Sequence, residues 1–105
     1  MNETIKYLIT FAAEINHTTF ESVMSRSRTM IDTRARRMSV AVLLSYGMAM
    51  IDVAEIFQLS GGTMRAMINK HQDENKVDKN YKSTYLKLRK EYERILEDGK
   101  NNNRN

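Results

Sequence analysis

The stretch Met50-Ile-Asp-Val-Ala-Glu-Ile-Phe-Gln-Leu-Ser-Gly-Gly-Thr-Met-Arg-Ala-Met-Ile68 decides the fold. It spells a short helix over 51–57, a turn at Gln58-Leu59-Ser60, and a second helix from Gly61 to about His71, with Ser60 able to cap it. A helix-turn-helix needs a small residue where its helices crowd, a tight turn, and a second helix with polar residues facing outward. Ala54 meets the first need, and Val53, Ile56, Leu59, Met67 and Ile68 supply an apolar lock. Thr63, Arg65, Ala66 and Asn69 are left for the outward face. An arginine there can pair with guanine through two hydrogen bonds, and a threonine can meet a thymine methyl or a phosphate. Ser60, Gly61, Gly62 and Thr63 open that helix, where backbone N–H groups can receive a phosphate.

Upstream lies a focus of positive charge. Arg26, Arg28, Arg34, Arg36 and Arg37 fall within twelve residues, opposed only by Asp32. That window carries +4, the net charge of the whole 105-residue chain. Basic charge concentrated beside a helix-turn-helix is the footprint expected of a duplex-DNA binder.

The rest of the chain reads as helix. There is no proline, and glycine occurs only at 47, 61, 62 and 99. Ile5, Leu8, Ile9, Ala12 and Ala13 share one face of a first helix over 4–14. Asn16-His17 breaks it, with His17 as a cap or surface residue, and Thr18-x-x-Glu21 has capping-box spacing for a short helix. Residues 25–30 lack periodicity and read as a basic loop, after which Asp32 is expected to cap a buried helix running to Tyr46. Gly47 suits the left-handed position that ends it. The polar stretch 72–77 reads as a linker, which leaves His71 at the end of the second helix, where a cation suits the dipole. Asp78 caps a last, amphipathic helix, in which Tyr81, Tyr85, Leu88, Tyr92 and Ile95 recur at steps of four and three. The expected architecture is all-α: a small helical bundle over 1–98 with a helix-turn-helix and a C-terminal amphipathic helix, then a disordered polar tail over 99–105.

Chemistry other than binding finds little support. Without cysteine there is no disulfide or thiolate metal site, and the two histidines are far apart with no ligand spacing around them. Asp52 and Glu55 suit a helix N-terminus rather than acid–base catalysis. No Gly-x-x-x-x-Gly-Lys-Ser/Thr loop occurs, so no nucleotide, cofactor or enzymatic activity is expected. The first residues lack the basic start of a secretory signal and no apolar run could span a bilayer, so a cytoplasmic protein without a membrane partner is expected.

Several of these segments resemble, over about 4–96, the C-terminal DNA-binding domain of the bacterial replication initiator DnaA, which belongs to the Trp-repressor-like helix-turn-helix class. Ser25-Arg26-Ser27-Arg28 is similar to that family's Ser-basic-x-Arg loop. Thr33-Arg34-Ala35-Arg36-Arg37-Met38-Ser39-Val40-Ala41-Val42 follows its next helix start, and Val53-Ala54-Glu55-Ile56-Phe57 its turn motif. Lys76-Val77-Asp78 leading into the final helix matches as well. The resemblance implies that Arg28 enters a minor groove, that Arg36 and Arg37 grip phosphate, and that Thr63 reads bases in the major groove. The chain departs where the family has Asp-His-Thr-Thr: Gly61 and Gly62 replace Asp-His, and Met64 replaces the second threonine. Glycine has no side chain to read a base edge, so weak discrimination of the initiator's own box is expected, with Arg65 as the discriminating contact. The reading is sequence-preferring duplex-DNA binding, in an accessory or regulatory role in replication or transcription; such a free copy suits a phage or mobile element. The alternative is a protein-interaction module in which the helix over 81–96 pairs with a partner or with a second copy.

Overall fold

A computed structural model describes the backbone of residues 1–102 and the side chains of residues 1–99. Six helices follow in order: α1 Glu3–Ile15, α2 Phe20–Met24, α3 Met30–Ser45, α4 Met50–Phe57, α5 Gly61–Val77 and α6 Lys79–Asn102. Among the described residues there is no strand, and no helix is long and apolar enough to cross a membrane. The protein is a small all-α bundle.

Helix α3 is its axis and packs against all five other helices. Ala35, Met38, Val42 and Leu43 are buried there, as the apolar stripe requires. The five α1 residues expected on one face are all buried as well. Tyr81, Tyr85, Leu88 and Tyr92 of α6 turn inward and close the bundle, each burial contributing about 1.5–3 kcal/mol. Four of the five seam residues of the last helix are therefore taken up by the protein's own core, while Ile95 is half-buried at a surface cleft and Leu86 is exposed.

The helix ends follow local chemistry, with three departures from the sequence reading. Thr29, not Asp32, caps α3; its hydroxyl accepts from the Asp32 N–H, and Asp32 stands in the first turn. Thr19, not Thr18, caps α2 and accepts from the Ser22 N–H at 3.2 Å. Residues 72–77 are no linker, because α5 runs on to Val77. That stretch contains neither glycine nor proline, and Glu74 within it is pinned to Arg37 at 3.0 Å. A polar sequence with no breaker continues a helix when one of its side chains has a buried partner. A single residue, Asp78, then separates α5 from α6, and its carboxylate accepts from the Tyr81 N–H at 3.0 Å. Helix α6 also continues through Gly99 to Asn102, where a disordered tail was expected; residues 103–105 lie outside the described residues.

Three helices end in a left-handed residue followed by an N–H that reaches back five positions: Thr18 to Ala13, Met48 to Leu43, and Leu59 to Ala54. Gly47 supplies the second of these turns without strain, at φ 96°. His17 and Gln58 adopt the same region at φ 64° and 53°, each at a cost of about 1 kcal/mol.

Candidate nucleic-acid interface

The helix-turn-helix forms from α4, the turn 58–60 and α5. Ser60 caps α5, its Oγ accepting from the Thr63 N–H at 3.2 Å, and the same hydroxyl contacts Thr63 Oγ1 at 3.0 Å. Its side chain is thus occupied by the cap. Val53, Phe57 and Met64 are the buried lock between the two helices, with Ile56, Leu59 and Met67 packed against them. Met64 is fully buried, so the position of the missing second threonine belongs to the core here and not to the outward face.

Gly61, Gly62, Thr63, Arg65, Ala66, Asn69 and Lys70 are exposed along the first turns of α5. Lys70 escaped the sequence reading, although it lies seven residues after Thr63 on the same stripe. The two glycines are not demanded by the fold. Neither has a positive φ, and an added Cβ would meet nothing within 4 Å at either. Their effect is a helix start stripped of side chains, where another molecule could approach the backbone closely. Gly62→Ala should leave stability equal or raised by about 0.5 kcal/mol, yet weaken duplex binding several-fold in a filter or anisotropy titration. Unchanged affinity would mean that no phosphate comes close to this backbone.

The five arginines separate into two groups. Arg26 and Arg28 are exposed, and no hydrogen bond or ion pair to a described residue holds them. The other three have internal partners. Arg36 donates through Nε to the Val23 carbonyl at 2.9 Å and through Nη2 to the carbonyls of Ser25 and Ser27 at 3.0 and 3.2 Å. Burial lowers its pKa, and the nearby Asp32 charge opposes that. Arg37 is buried, pairs with Glu74 and lies over the Tyr81 ring at 5.4 Å. Arg34 is intermediate. Its Nη2 donates to Asn80 Oδ1 at 3.1 Å and its guanidinium lies 5.2 Å from the Tyr81 ring, but one edge still lines a surface groove.

Asp32 explains how the loop over 25–29 is held. Its carboxylate is 2 % exposed and accepts from four hydroxyls: Thr18 at 2.5 Å, Ser27 at 2.6 Å, Ser22 at 2.7 Å and Thr29 at 2.8 Å. These bonds, led by Ser27, then Thr18 and Ser22, hold the carboxyl far below the usual carboxylate range although burial opposes them. With Arg36 clamping three carbonyls from the other side, Arg26 and Arg28 project from a fixed loop.

The loop over 25–29 and α5 meet at one place. Arg28, Arg34 and Lys70 line a single open groove together with Met30, Thr33 and Val77, and Arg37, Glu74 and Asp78 complete its lining. Met30 and Val77 are each 82 % exposed.

His71 lies in the middle of α5 rather than at its end, and it is not the expected cation. Its Nδ1 is 2.7 Å from the Tyr81 hydroxyl and its ring stands edge-on to Tyr85 at 4.4 Å. Burial first, then the Arg37 charge, lowers its pKa from 6.5 to about 4, with Glu74 opposing. Because the folded value lies below the unfolded one, the stabilisation is complete above about pH 6.5 and declines as pH falls towards 4. The part-exposed ring tempers the size to about 1–2 kcal/mol. Denaturation midpoints between pH 7 and 4.5 should fall more steeply for the wild type than for His71→Gln; parallel curves would show a ring that charges freely in the fold.

No protein-family model, curated protein or solved structure matches the chain. Among the described residues, no group of three or more His, Cys, Asp or Glu could hold a metal ion.

Proposed function

We propose that the protein binds duplex DNA with sequence preference, as a helix-turn-helix module in an accessory or regulatory role in replication or transcription. Helix α5 enters the major groove by its outward face, and the loop over 25–29 reaches the adjacent minor groove or backbone. The observation that carries the reading is the convergence of Arg28, Arg34 and Lys70 on one groove along the second half of α5, where their charge exceeds that of Glu74 and Asp78 in the same lining. Two exposed cations from separate elements, one of them on a loop tied at four points, fit a phosphate track better than a generally solvated surface. Phosphate contacts then fall to Arg26, Arg28, Arg34 and Lys70, and base contacts to Thr63, Arg65 and Asn69.

The resemblance to the initiator's DNA-binding domain agrees with this docking, and the two glycines argue for a different site preference. The test is selection of bound sequences from random duplex, followed by a salt titration of the winner. Binding with a consensus, a footprint over it and a slope of log K against log salt of about −3.6 or steeper is expected for at least four phosphate contacts. A flat salt dependence with no enriched sequence would overturn the reading. The competing reading, a partner helix on the 81–96 seam, has Ile95 and Leu86 as its accessible apolar residues there, since Tyr81, Tyr85, Leu88 and Tyr92 are buried.

A further inference from the structure

Six of the eight large apolar side chains that stand exposed among the described residues gather at two places. Met30 and Val77 line the basic groove with Arg28, Arg34 and Lys70, and Ile31 adjoins Met30 in the chain. Met1 lines a second cleft together with Met48, Asp52, Glu55 and Ile56. Met50 and Ile51 precede Asp52 on the same helix, and Ile51 lies one turn from Glu55. The two places differ in sign. In the groove, Arg28, Arg34 and Lys70 outweigh Asp78, because Glu74 is paired with Arg37. In the cleft the charged side chains are Asp52 and Glu55, and residues 38–64 hold no lysine, arginine or histidine. The two places also lie at opposite ends of the bundle's axis. The groove sits where α3 begins and α5 ends, whereas the cleft sits past the end of α3, on the helix that leads into the start of α5. The 16 residues of α3 set them about 24 Å apart along that helix.

We propose that copies of this chain associate head to tail, the acidic cleft of one seating the basic groove of the next. The pairing of signs selects a second copy in this arrangement. Two clefts brought face to face set Asp52 and Glu55 against their own counterparts, and two grooves set arginine against arginine, so a two-fold pair through either face is disfavoured. One cleft against one groove instead sets Asp52 and Glu55 against Arg28, Arg34 and Lys70, and covers Met50 and Ile51 with Met30 and Val77. Because the complementary faces lie at opposite ends, the contact repeats as an open chain rather than closing a pair. Exposed ion pairs are weak and screened by salt, and each face holds few apolar side chains. Each contact therefore has a Kd on the order of 0.1–1 mM at low salt. Duplex DNA and a second copy then compete for one groove. That competition rests on the DNA-binding reading; the association does not.

The test is sedimentation equilibrium of the full chain without DNA, in a concentration series up to about 1 mM, at about 20 mM and about 500 mM NaCl. At low salt the mean mass should climb past that of a dimer as concentration rises, and at high salt it should return to the monomer. One variant blocks each face: Ile51→Lys with Glu55→Lys on the cleft, and Arg28→Ser, Met30→Ser and Lys70→Ser together on the groove. All five residues are exposed, so both variants should keep the wild-type denaturation midpoint. Each variant alone should stay monomeric at low salt. An equal mixture should form a complex that stops at two copies, because it offers one intact groove and one intact cleft per pair. A wild type that stays monomeric at about 1 mM and low salt, association that neither variant weakens, or a mixture that grows past two copies would overturn the proposal. Self-association with no duplex affinity would uphold it and sink the DNA reading alone; duplex binding by a chain that stays monomeric would do the reverse.

Discussion

Asp32→Ala should destabilise the fold by about 3–4 kcal/mol, a cost near the upper end for one substitution. The variant deprives four hydroxyls of their shared acceptor, two of them on the loop over 25–29 and one each on α2 and the turn before it. A hydrogen bond to a charged acceptor contributes about 1.5–3 kcal/mol, and four on one carboxylate are far from additive because each hydroxyl can find water or a neighbour once freed. Asp32→Asn keeps the shape and loses the charge, so it should fall between. The pH dependence has a defined sign. A folded pKa depressed below the ordinary carboxylate value of about 4 means that the stabilisation is complete above that value and is lost as pH falls towards the folded one. The gap between wild type and Asp32→Asn in chemical denaturation should therefore be widest near neutrality and narrow in acid. A cost under about 1 kcal/mol at pH 7 would show that the hydroxyls are not bonded to this carboxylate in solution.

The same residue marks where sequence reading stops. One acidic residue among five arginines is visible in the chain, and its natural reading is a helix cap and a lone counter-charge. That Thr18, Ser22, Ser27 and Thr29 all turn their hydroxyls onto it depends on α2 folding back over the start of α3, which no local pattern encodes. Burial of Arg37 was hidden for a similar reason. Its helix position is inward, but an arginine is read as surface until its partner is known, and the partner Glu74 lies in a stretch that polarity alone marks as linker. What depends on spacing was legible: the inward face of α1, the tyrosine and leucine seam of α6, the Gly47 stop and the Ser60 cap. Such features need only periodicity and a cap residue. The outward face of α5 was legible in Thr63, Arg65 and Asn69, while Lys70 was passed over although it lay inside the helix expected over 61–71.

This division of the arginines sharpens the largest functional effect expected. The triple variant Arg28→Ala, Arg65→Ala, Lys70→Ala should keep wild-type stability and lose duplex affinity about a hundredfold or more near physiological salt. All three side chains are exposed and none is held by a described residue, so their removal leaves no buried group unpaired and the denaturation midpoint should stay within about 0.5 kcal/mol. Arg65 alone should account for about 1–3 kcal/mol, confined to one base pair, as for a side chain that reads a base edge. Arg28 and Lys70 should act on every sequence alike, each lowering the magnitude of the salt slope by about one. Arg36→Ala provides the contrast: it should shift stability by freeing the carbonyls of Val23, Ser25 and Ser27, and should reach affinity only through a loosened loop. Matched salt titrations of the selected site and a scrambled duplex separate these contributions. If the triple variant keeps affinity within threefold of wild type, about 0.6 kcal/mol, the groove between the loop and α5 is not where DNA lies.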